Sequence, residues 1–228
     1  MNIGDSMYET SIAFLKEIDT LGYVGYIIGG YPRNLFLSIK TSDIDICTSA
    51  TPDTLKEKYE IIDDNSRFGS LRIKKDEFIF EITTFRIELE YHNRYPKIQY
   101  TNNILDDLKR RDFTINTLCI DQNGKLLDFL NVKKDFTNKI IRCVGDVDQK
   151  INEDPLRILR AIRFSSELGF KIEDKLLNKI IQDGYLIDTL STNQIIKEIS
   201  KMNDKAIKKL KELNLWRYID AREDIRFN

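Results

Sequence analysis

The chain has 228 residues, 41% of them hydrophobic and 32% charged, with a formal net charge of −1. These values predict a globular protein with its own core and exclude a uniformly basic nucleic-acid binder, so any nucleic-acid surface must come from local clustering. The N-terminus has no signal-peptide pattern, no apolar run approaches the roughly 18 residues of a membrane span, and the cysteines lack C-x-x-C spacing. Together these features predict a soluble cytoplasmic protein with reduced core thiols.

The first part of the chain alternates predicted helices and strands. In chain order these are a helix at 6–21, a strand at 23–28, a Gly29-Gly30 turn, a short helix at 32–39, an acidic strand at 43–47 and a helix that Thr51 caps. There follow a hairpin at 70–75 and 77–85, an irregular mobile loop at 86–103, short helices at 104–110 and 114–120, an Asn-Gly hairpin at 119–129 and a strand at 139–144.

The rest of the chain has a helical pattern throughout. The predicted helices cover 154–168, 173–186, 191–203 and 204–213. Strands mixed with helices, followed by helices alone, predict the α+β class, with a mixed-sheet head over 1–150 and a helical part over 151–228.

Two acidic residues interrupt the predicted strand at 43–47. Asp43 and Asp45 share one face and Ile44 and Ile46 the other, because side chains alternate along a strand. Neighbouring carboxylates on a buried strand are costly unless something compensates them, and a hard divalent cation such as Mg²⁺ does so. The alternative is a solvent-facing edge with two harmless acids.

A strand, two glycines and a short helix precede this acidic strand. Gly29 and Gly30 let a phosphate approach the backbone, and Arg33 in the first turn is suited to clamping it. The alternative is an ordinary glycine turn with a surface arginine. Farther along, Glu81 becomes a third acid of the site if its strand neighbours 43–47, or else a cross-strand partner of Arg72.

Two basic segments complete the candidate site. In "KRRDFTINT" (109–117), Arg111 and Asn116 are candidates for phosphate and ribose contacts, and the alternative is a capped helix start with solvated charges. In "EDPLRILRAIRF" (153–164), Asp154 begins a helix on which three arginines recur every third residue without matching acids four positions later. These are Arg157, Arg160 and Arg163.

Four stretches in register resemble the head and neck motifs of class II tRNA nucleotidyltransferases, the CCA-adding enzymes and bacterial poly(A) polymerases of the polymerase-β superfamily. They are "GGYPRN…SDIDICTSATP", "FEITTFR", "DLKRRDFTINTL" and "EDPLRILRAIRFSSELGF". The resemblance implies a polymerase-β-like head and a helical neck with a truncated body, lacking most of the body and tail domains that grip tRNA. It also implies cytoplasmic addition of CCA to the tRNA 3′ end from CTP and ATP, with neither DNA nor a membrane as partner.

By the same resemblance, Asp43 and Asp45 bind two Mg²⁺ ions, with Glu81 beside them, and Gly29, Gly30 and Arg33 cradle the triphosphate. The residues implied to position nucleotide and primer are Arg111, Asp112, Asn116, Arg160 and Arg163. The resemblance also implies that Asp154 and Arg157 take the place of a template. The carboxylate accepts a hydrogen bond from the exocyclic amine of cytosine or adenine, and the arginine donates one to the adjacent ring nitrogen. Guanine and uracil carry a carbonyl in place of that amine, which repels the carboxylate.

The chain also departs from the family pattern. The family's first motif usually ends in Arg-Asp, and here Asn34 follows Arg33 in the place of the acid. The later neck pattern, usually Ser-x-Glu-Arg, reads Ser191-Thr192-Asn193-Gln194. Residues 197–217 are rich in lysine, which favours either a phosphate-binding face for the acceptor stem or a solvated surface. A partial CC- or A-adding enzyme, a short poly(A) polymerase and a non-catalytic RNA- or nucleotide-binding relative remain alternatives.

Overall fold

The computed structural model describes residues 3–92 and 95–220. The first helices and strands are α1 (Ile3–Thr20), β1 (Gly25–Ile28), α2 (Gly30–Phe36), β2 (Asp45–Thr48), α3 (Pro52–Lys56), β3 (Glu60–Asn65), β4 (Ser70–Lys75), β5 (Phe78–Thr84), β6 (Arg86–His92) and β7 (Tyr95–Tyr100). The next are α4 (Ile104–Arg110), β8 (Cys119–Ile120), β9 (Leu126–Leu127), α5 (Lys133–Thr137), β10 (Ile140–Ile141) and α6 (Val147–Glu153). The last are α7 (Leu156–Leu168), β11 (Lys171–Ile172), α8 (Asp174–Gln182), α9 (Thr192–Ile199), α10 (Asp204–Glu212) and α11 (Arg217–Asp220).

The chain divides into two compact units, and a short segment from within the range of the first belongs to the second. The first contains residues 1–111 and 115–132, and the second contains residues 112–114 and 133–228. A mixed sheet followed by helices confirms the α+β class. The division of the chain near residue 150 stays a prediction.

The first unit is built on one mixed sheet. In the described part of the chain, seven strands lie in the order β3-β4-β5-β2-β1-β8-β9, with β2 and β5 parallel and the other pairs antiparallel. Helix α1 packs on this sheet through Phe14, Leu15 and Ile18, which are fully or almost fully buried against Ile27 and Ile46. Burial of such side chains stabilises the sheet by about 1.5–3 kcal/mol each.

Two sequence predictions in this unit were wrong. The part of the predicted loop that the structure describes is not irregular, because β6 (Arg86–His92) and β7 (Tyr95–Tyr100) pair as antiparallel strands; residues 93 and 94 lie outside the described residues. Residues 114–120 do not form a helix: a 3₁₀ turn covers 114–116, and Cys119–Ile120 is a strand that joins the sheet. Four consecutive buried residues, 117–120, suit a strand covered on both faces and not an amphipathic helix.

The second unit consists mainly of helices around α7. Ile158, Leu159 and Ile162 of α7 are fully buried, and α9 and α10 pack on this helix. Ser191 and Gln194 form a reciprocal capping box at the start of α9. In the parts of the chain that the structure covers, no helix has the length and apolarity needed to cross a membrane.

Candidate active site

The two acids identified in the sequence lie where the central strand β2 begins. Asp45 is its first residue, and Asp43 lies two residues before it in an exposed position. Ile44 and Ile46 are 2% and 1% exposed. The chain therefore alternates between core and solvent here, so the hydrophobic residues hold the backbone while the carboxylates stay outside the core.

Asp45 is the electrostatically strained member of the pair. Burial, followed by the charges of Asp43 and Glu81, raises the pKa of Asp45 to about 6, while the Arg111 guanidinium acts in the opposite direction. A carboxyl group whose neighbours resist its ionisation gains free energy when a cation compensates it. The Asp45 carboxyl group therefore has the electrostatics of a cation ligand.

Glu81 lies beside the residues that both sequence interpretations name. It lies opposite Asp45 across the parallel β2–β5 pair and opposite Arg72 across the antiparallel β4–β5 pair. Its Oε1 also accepts a long hydrogen bond of 3.5 Å from the Ser70 hydroxyl. Its place in the acidic site stays a prediction.

The donor set suits a cation that takes few protein ligands. Within residues 3–92 and 95–220, no cluster of three or more acidic, histidine or cysteine side chains is arranged to hold a metal ion. Mg²⁺ commonly takes one or two carboxylates and completes its shell with water and substrate phosphate oxygens. Asp43 and Asp45 fit that demand, and the raised pKa of Asp45 is what a carboxyl group has when a cation would favour its ionised form.

A glycine lies directly against this carboxylate. Gly29 has φ 81°, and a Cβ atom built there would come within 3.1 Å of Oδ2 of Asp45. The position thus requires glycine both for its left-handed backbone and for the close approach. The next residue, Gly30, begins α2, and Gly29 occupies the N-cap position of this helix without a side-chain hydrogen bond.

Arg33 is brought together with Asn116. The arginine is 8% exposed; its Nη1 donates to Oδ1 of Asn116 over 2.7 Å and its Nε to Oδ1 of Asn34 over 2.9 Å. Asn34, which stands in the place of the family's usual acid, thus still accepts a hydrogen bond from the arginine. Two predicted nucleotide-binding residues from distant parts of the sequence are therefore in direct contact.

Arg111 is fixed by an acid that sequence reasoning missed. Asp107 is fully buried; its Oδ2 accepts from Nη2 of Arg111 over 3.0 Å and its Oδ1 from Nε of Arg110 over 2.8 Å. Nε of Arg111 is buried and has no hydrogen-bond partner in the described chain. The spacing of Asp107, three and four residues before the arginines on a helix, was the available signal.

The second unit holds Asp112 against an arginine. Oδ2 of Asp112 accepts from Nε of Arg160 over 2.7 Å and lies 2.6 Å from its Nη2. The Arg160 guanidinium also lies over the Phe164 ring, 5.2 Å from its centroid. Both predicted residues are thus in one ion pair.

Asp154 and Arg157 lie at the start of α7. Oδ1 of Asp154 accepts from the Leu156 amide over 3.0 Å. Arg157 is 6% exposed, and its Nη1 donates to the Lys150 carbonyl over 2.7 Å and to Oε2 of Glu153 over 3.0 Å. The guanidinium is therefore oriented by Glu153, a second acid that the sequence analysis did not single out.

Arg163 is held by two acids. Its Nε donates to Oε1 of Glu198 over 2.6 Å, and its Nη1 donates to Glu167. The expectation that the arginines of α7 lack an acid four residues later was wrong here, because Glu167 occupies that position. A nucleotide contact by Arg163 stays a prediction, and it would have to compete with these carboxylates.

The predicted residues thus divide between the units. The first unit contains Gly29, Gly30, Arg33, Asp43, Asp45, Glu81, Arg111 and Asn116. The second contains Asp112, Asp154, Arg157, Arg160 and Arg163. The acids of the strand region, Asp43, Asp45 and Glu81, and the Gly29-Gly30 turn thus belong to the first unit, and the three arginines of α7 belong to the second.

Comparison with known proteins gives a consistent result. Residues 25–142 match the family described as poly A polymerase head domain. The chain is 39% identical over 191 residues to the CCA-adding enzyme of Lactobacillus helveticus (strain DPC 4571), covering 82% of this chain and 48% of that protein. It is 32% identical over 225 residues to the CCA-adding enzyme of Geobacillus sp. (strain WCH70), covering 95% of this chain and 56% of that one.

Solved structures agree with these relatives. The Bacillus stearothermophilus CCA-adding enzyme in complex with CTP superposes with a TM-score of 0.87 at 28% identity, over 96% of this chain and 55% of that one. A CCA-adding enzyme with ATP gives a TM-score of 0.75 at 25% identity, over 98% and 55%. The chain thus spans about half the length of the curated relatives it matches.

Proposed function

The chain belongs to the poly A polymerase head-domain family, and from this premise we propose that it adds CCA to the 3′ end of tRNA. In this proposal the substrates are CTP and ATP, the reaction needs no template, and each transfer releases pyrophosphate. The observation that carries the proposal is the placement of Asp45, two residues after Asp43, directly against the Gly29 turn. Because tRNA and nucleoside triphosphates are cytoplasmic pools, we place the activity in the cytoplasm.

Asp43 and Asp45 are the groups that would hold Mg²⁺, with Glu81 as the neighbouring acid. Bound there, the metal would lower the pKa of a primer 3′-hydroxyl and neutralise developing charge on pyrophosphate. The protein's own contribution is to hold Asp45 at the head of a central strand, with Asp43 two residues before it, so that a bound cation would offset the cost of ionising Asp45.

The triphosphate would be bound by the glycine turn and two arginines. Gly29 and Gly30 leave the backbone accessible, and Arg33 is already oriented by Asn116. The unpartnered Nε of Arg111 supports a phosphate contact, because a buried N–H without an acceptor costs about 1–3 kcal/mol that a phosphate oxygen would return. Held by Asp107, this guanidinium would not need to reorganise when the phosphate binds.

The second unit would choose the base. A carboxylate at Asp154 accepts from the exocyclic amine of cytosine or adenine, and Arg157 donates to the adjacent ring nitrogen. Glu153 and the Lys150 carbonyl hold Arg157 in one orientation, which supports discrimination by geometry. Arg160, which Asp112 holds in an ion pair, would contact the nucleotide or a phosphate from the next turn of α7. Arg163 would do so from the turn after that.

Product sequencing on a tRNA that lacks its 3′-terminal CCA tests this proposal. With Mg²⁺, CTP alone should give two added residues, and CTP with ATP should give CCA. Addition of C only, of a single A or of a run of A would identify a partial adder or a poly(A) polymerase. Absence of any incorporation or pyrophosphate release by the folded protein would instead favour a non-catalytic binding relative.

A further inference from the structure

One buried carboxylate of the second unit lies outside the candidate site. Asp135 of α5 is 1% exposed, and its two oxygens have different partners. Oδ2 accepts from the Thr114 hydroxyl over 2.8 Å, and Oδ1 accepts from Nε of Arg142 over 3.1 Å. Burying a carboxylate is costly unless it is paired and hydrogen-bonded, and here both oxygens are used. Asp135 therefore connects α5 to a residue that lies 21 positions earlier in the chain.

Thr114 ends the segment 112–114, which belongs to the second unit although residues on both sides of it belong to the first. Two backbone hydrogen bonds connect this segment to residues 142–144. The Thr114 amide donates to the Arg142 carbonyl over 2.9 Å, and the Val144 amide donates to the Asp112 carbonyl over 3.0 Å. The bond from the Thr114 hydroxyl adds a side-chain connection to α5. Asp135 thus helps to hold the backbone of the segment in the second unit.

The backbone of this segment in turn orients the carboxylate of Asp112. Its Oδ1 accepts from the Phe113 amide over 2.7 Å, while its Oδ2 accepts from Nε of Arg160 over 2.7 Å. Because one oxygen is bonded to the backbone and the other to the guanidinium, a rotation of the peptide at 113 would turn the carboxylate and displace the arginine. The position of Arg160 therefore depends, through Asp112, on what holds Thr114.

We propose that Asp135 is a positioning residue for the nucleotide and acts through Thr114 on the Asp112–Arg160 pair. This inference rests on the proposed function, under which Arg160 contacts the nucleotide or a phosphate from α7. A guanidinium that is already held in place loses little side-chain freedom when the substrate binds, whereas a loosened one has to be ordered at that moment. Loss of the bond between Asp135 and Thr114 should therefore weaken nucleotide binding more than it slows the chemical step.

The test is the steady-state kinetics of CTP incorporation by variants of the full chain. Thr114→Val keeps the shape of the side chain but removes its hydroxyl, and Asp135→Leu replaces the buried carboxylate by an apolar group of similar size. Each should raise KM for CTP by about 2- to 10-fold with little change in kcat, because ordering one long side chain typically costs that much affinity. Thr114→Ser, which keeps the hydroxyl, should restore the wild-type KM.

Two further variants separate positioning from a structural role. Glu173→Gln weakens the other acidic contact of Arg142 and leaves the hydroxyl of Thr114 bonded, so KM should stay at the wild-type value. On an Asp112→Asn background, Thr114→Val should not raise KM further, because the pair on which it acts is already broken. A fall in kcat at constant KM, as a loss of folded enzyme would give, would overturn the proposal. Equal increases in KM for Thr114→Val and Glu173→Gln would overturn it as well.

Equilibrium binding of CTP to the same variants in the presence of Mg²⁺ needs no incorporation. If the chain binds CTP but incorporates none, weaker binding by Thr114→Val than by Thr114→Ser would support the role of Asp135 while the proposed function fails. Normal incorporation with unchanged KM and affinity in all variants would overturn the role of Asp135 and leave the proposed function standing. A folded chain that neither binds nor incorporates CTP would overturn both.

Discussion

At the scale of single residues, the chemistry of the candidate site depends on the cost of charging Asp45. Burial and the neighbouring Asp43 and Glu81 raise its pKa from 3.8 to about 6. Between these two pH values the folded state binds more protons than the unfolded state does. Stability therefore falls as the pH rises through this window, and the full penalty is present above about pH 6.

Asp45→Asn should accordingly stabilise the metal-free protein at neutral pH. The gain is expected to be on the order of 1–3 kcal/mol at pH 7.5, and it should disappear at about pH 2.5, where Asp45 is protonated in both states. Thermal unfolding at both pH values measures it. Equal destabilisation at the two pH values would show that the asparagine disturbs packing and that the electrostatic argument is mistaken.

The same substitution should remove activity under the proposed function. Asp43→Asn and Asp45→Asn are each expected to reduce CTP incorporation by about 10²–10³-fold or more, because losing one group that stabilises transition-state charge typically costs about 10²–10³ in rate. Glu57→Gln, at an exposed position in the same unit, serves as the charge-matched control. Incorporation at wild-type rates by either aspartate variant would refute the assignment.

Base choice is expected to depend on the support of Arg157. Glu153→Gln keeps the size of the side chain but weakens its bond to the guanidinium, which is 3.0 Å long. Misincorporation of UTP relative to CTP should rise by about 10-fold or more, while the affinity for an acceptor-stem RNA should stay constant. Asn152→Ala, at the exposed neighbouring position of α6, would test whether any change at this end of the helix has the same effect.

At the scale of elements, the β6–β7 hairpin is attached to α4 by buried charges. Oε1 of Glu88 lies 2.9 Å from Nη2 of Arg86 and 3.5 Å from Nη1 of Arg110, and its Oε2 accepts from the Tyr91 hydroxyl. Burial opposes ionisation of Glu88, but Arg110, Tyr91 and Arg86 together hold its pKa below the usual 4.5. The hairpin thus gains stability above pH 4.5 and loses it as the pH falls through the lowered pKa.

Glu88→Gln should loosen this hairpin at neutral pH. Breaking a largely buried ion pair by removing one partner typically costs about 3–5 kcal/mol. Trypsin cleavage after the exposed Lys97 of β7 measures local opening, and Glu90→Gln is the matched exposed control. Cleavage of both variants at the wild-type rate would show that the contacts of Glu88 do not hold the hairpin.

Several elements could be predicted from the sequence, and the failures have physical causes. The apolar alternation around Asp45 and the Asn-Gly turn between β8 and β9 are local signals that the fold preserves. The β6–β7 hairpin was missed because its register shifts between Glu88 and Tyr91, which destroys the two-residue alternation. Asp107 and Glu153 were missed because an acid among basic residues has the same appearance whether it is solvated or buried.

At the scale of the whole molecule, the two units are not consecutive in the sequence. Residues 112–114 belong to the second unit although residues on both sides belong to the first. Phe113 is fully buried and meets Phe164 edge to face, with ring centroids 6.0 Å apart. No change in composition marks residues 112–114 as part of another unit, and a single boundary in the sequence cannot describe a unit built from two separate segments.

Phe113→Ala should therefore destabilise the second unit, although it lies far upstream of the rest of that unit. A loss of about 3–5 kcal/mol is expected for a buried phenylalanine. The single tryptophan of the chain, Trp216, belongs to the second unit and reports its unfolding in urea by fluorescence. Leu35→Ala, at a position 51% exposed in the first unit, should leave that transition unchanged.

The place of β2 in the sheet has a consequence for motion near the acids. Its neighbours β5 and β1 pair with it on both sides, so its amides are shielded from water along each edge. Hydrogen–deuterium exchange at Ile46 and Cys47 should thus require opening of the whole first unit, whereas exchange in the two-stranded β6–β7 arm requires only local fraying. The Asp45 carboxylate is therefore carried by a strand that is paired on both sides, and we expect movement during a reaction cycle to come from other segments.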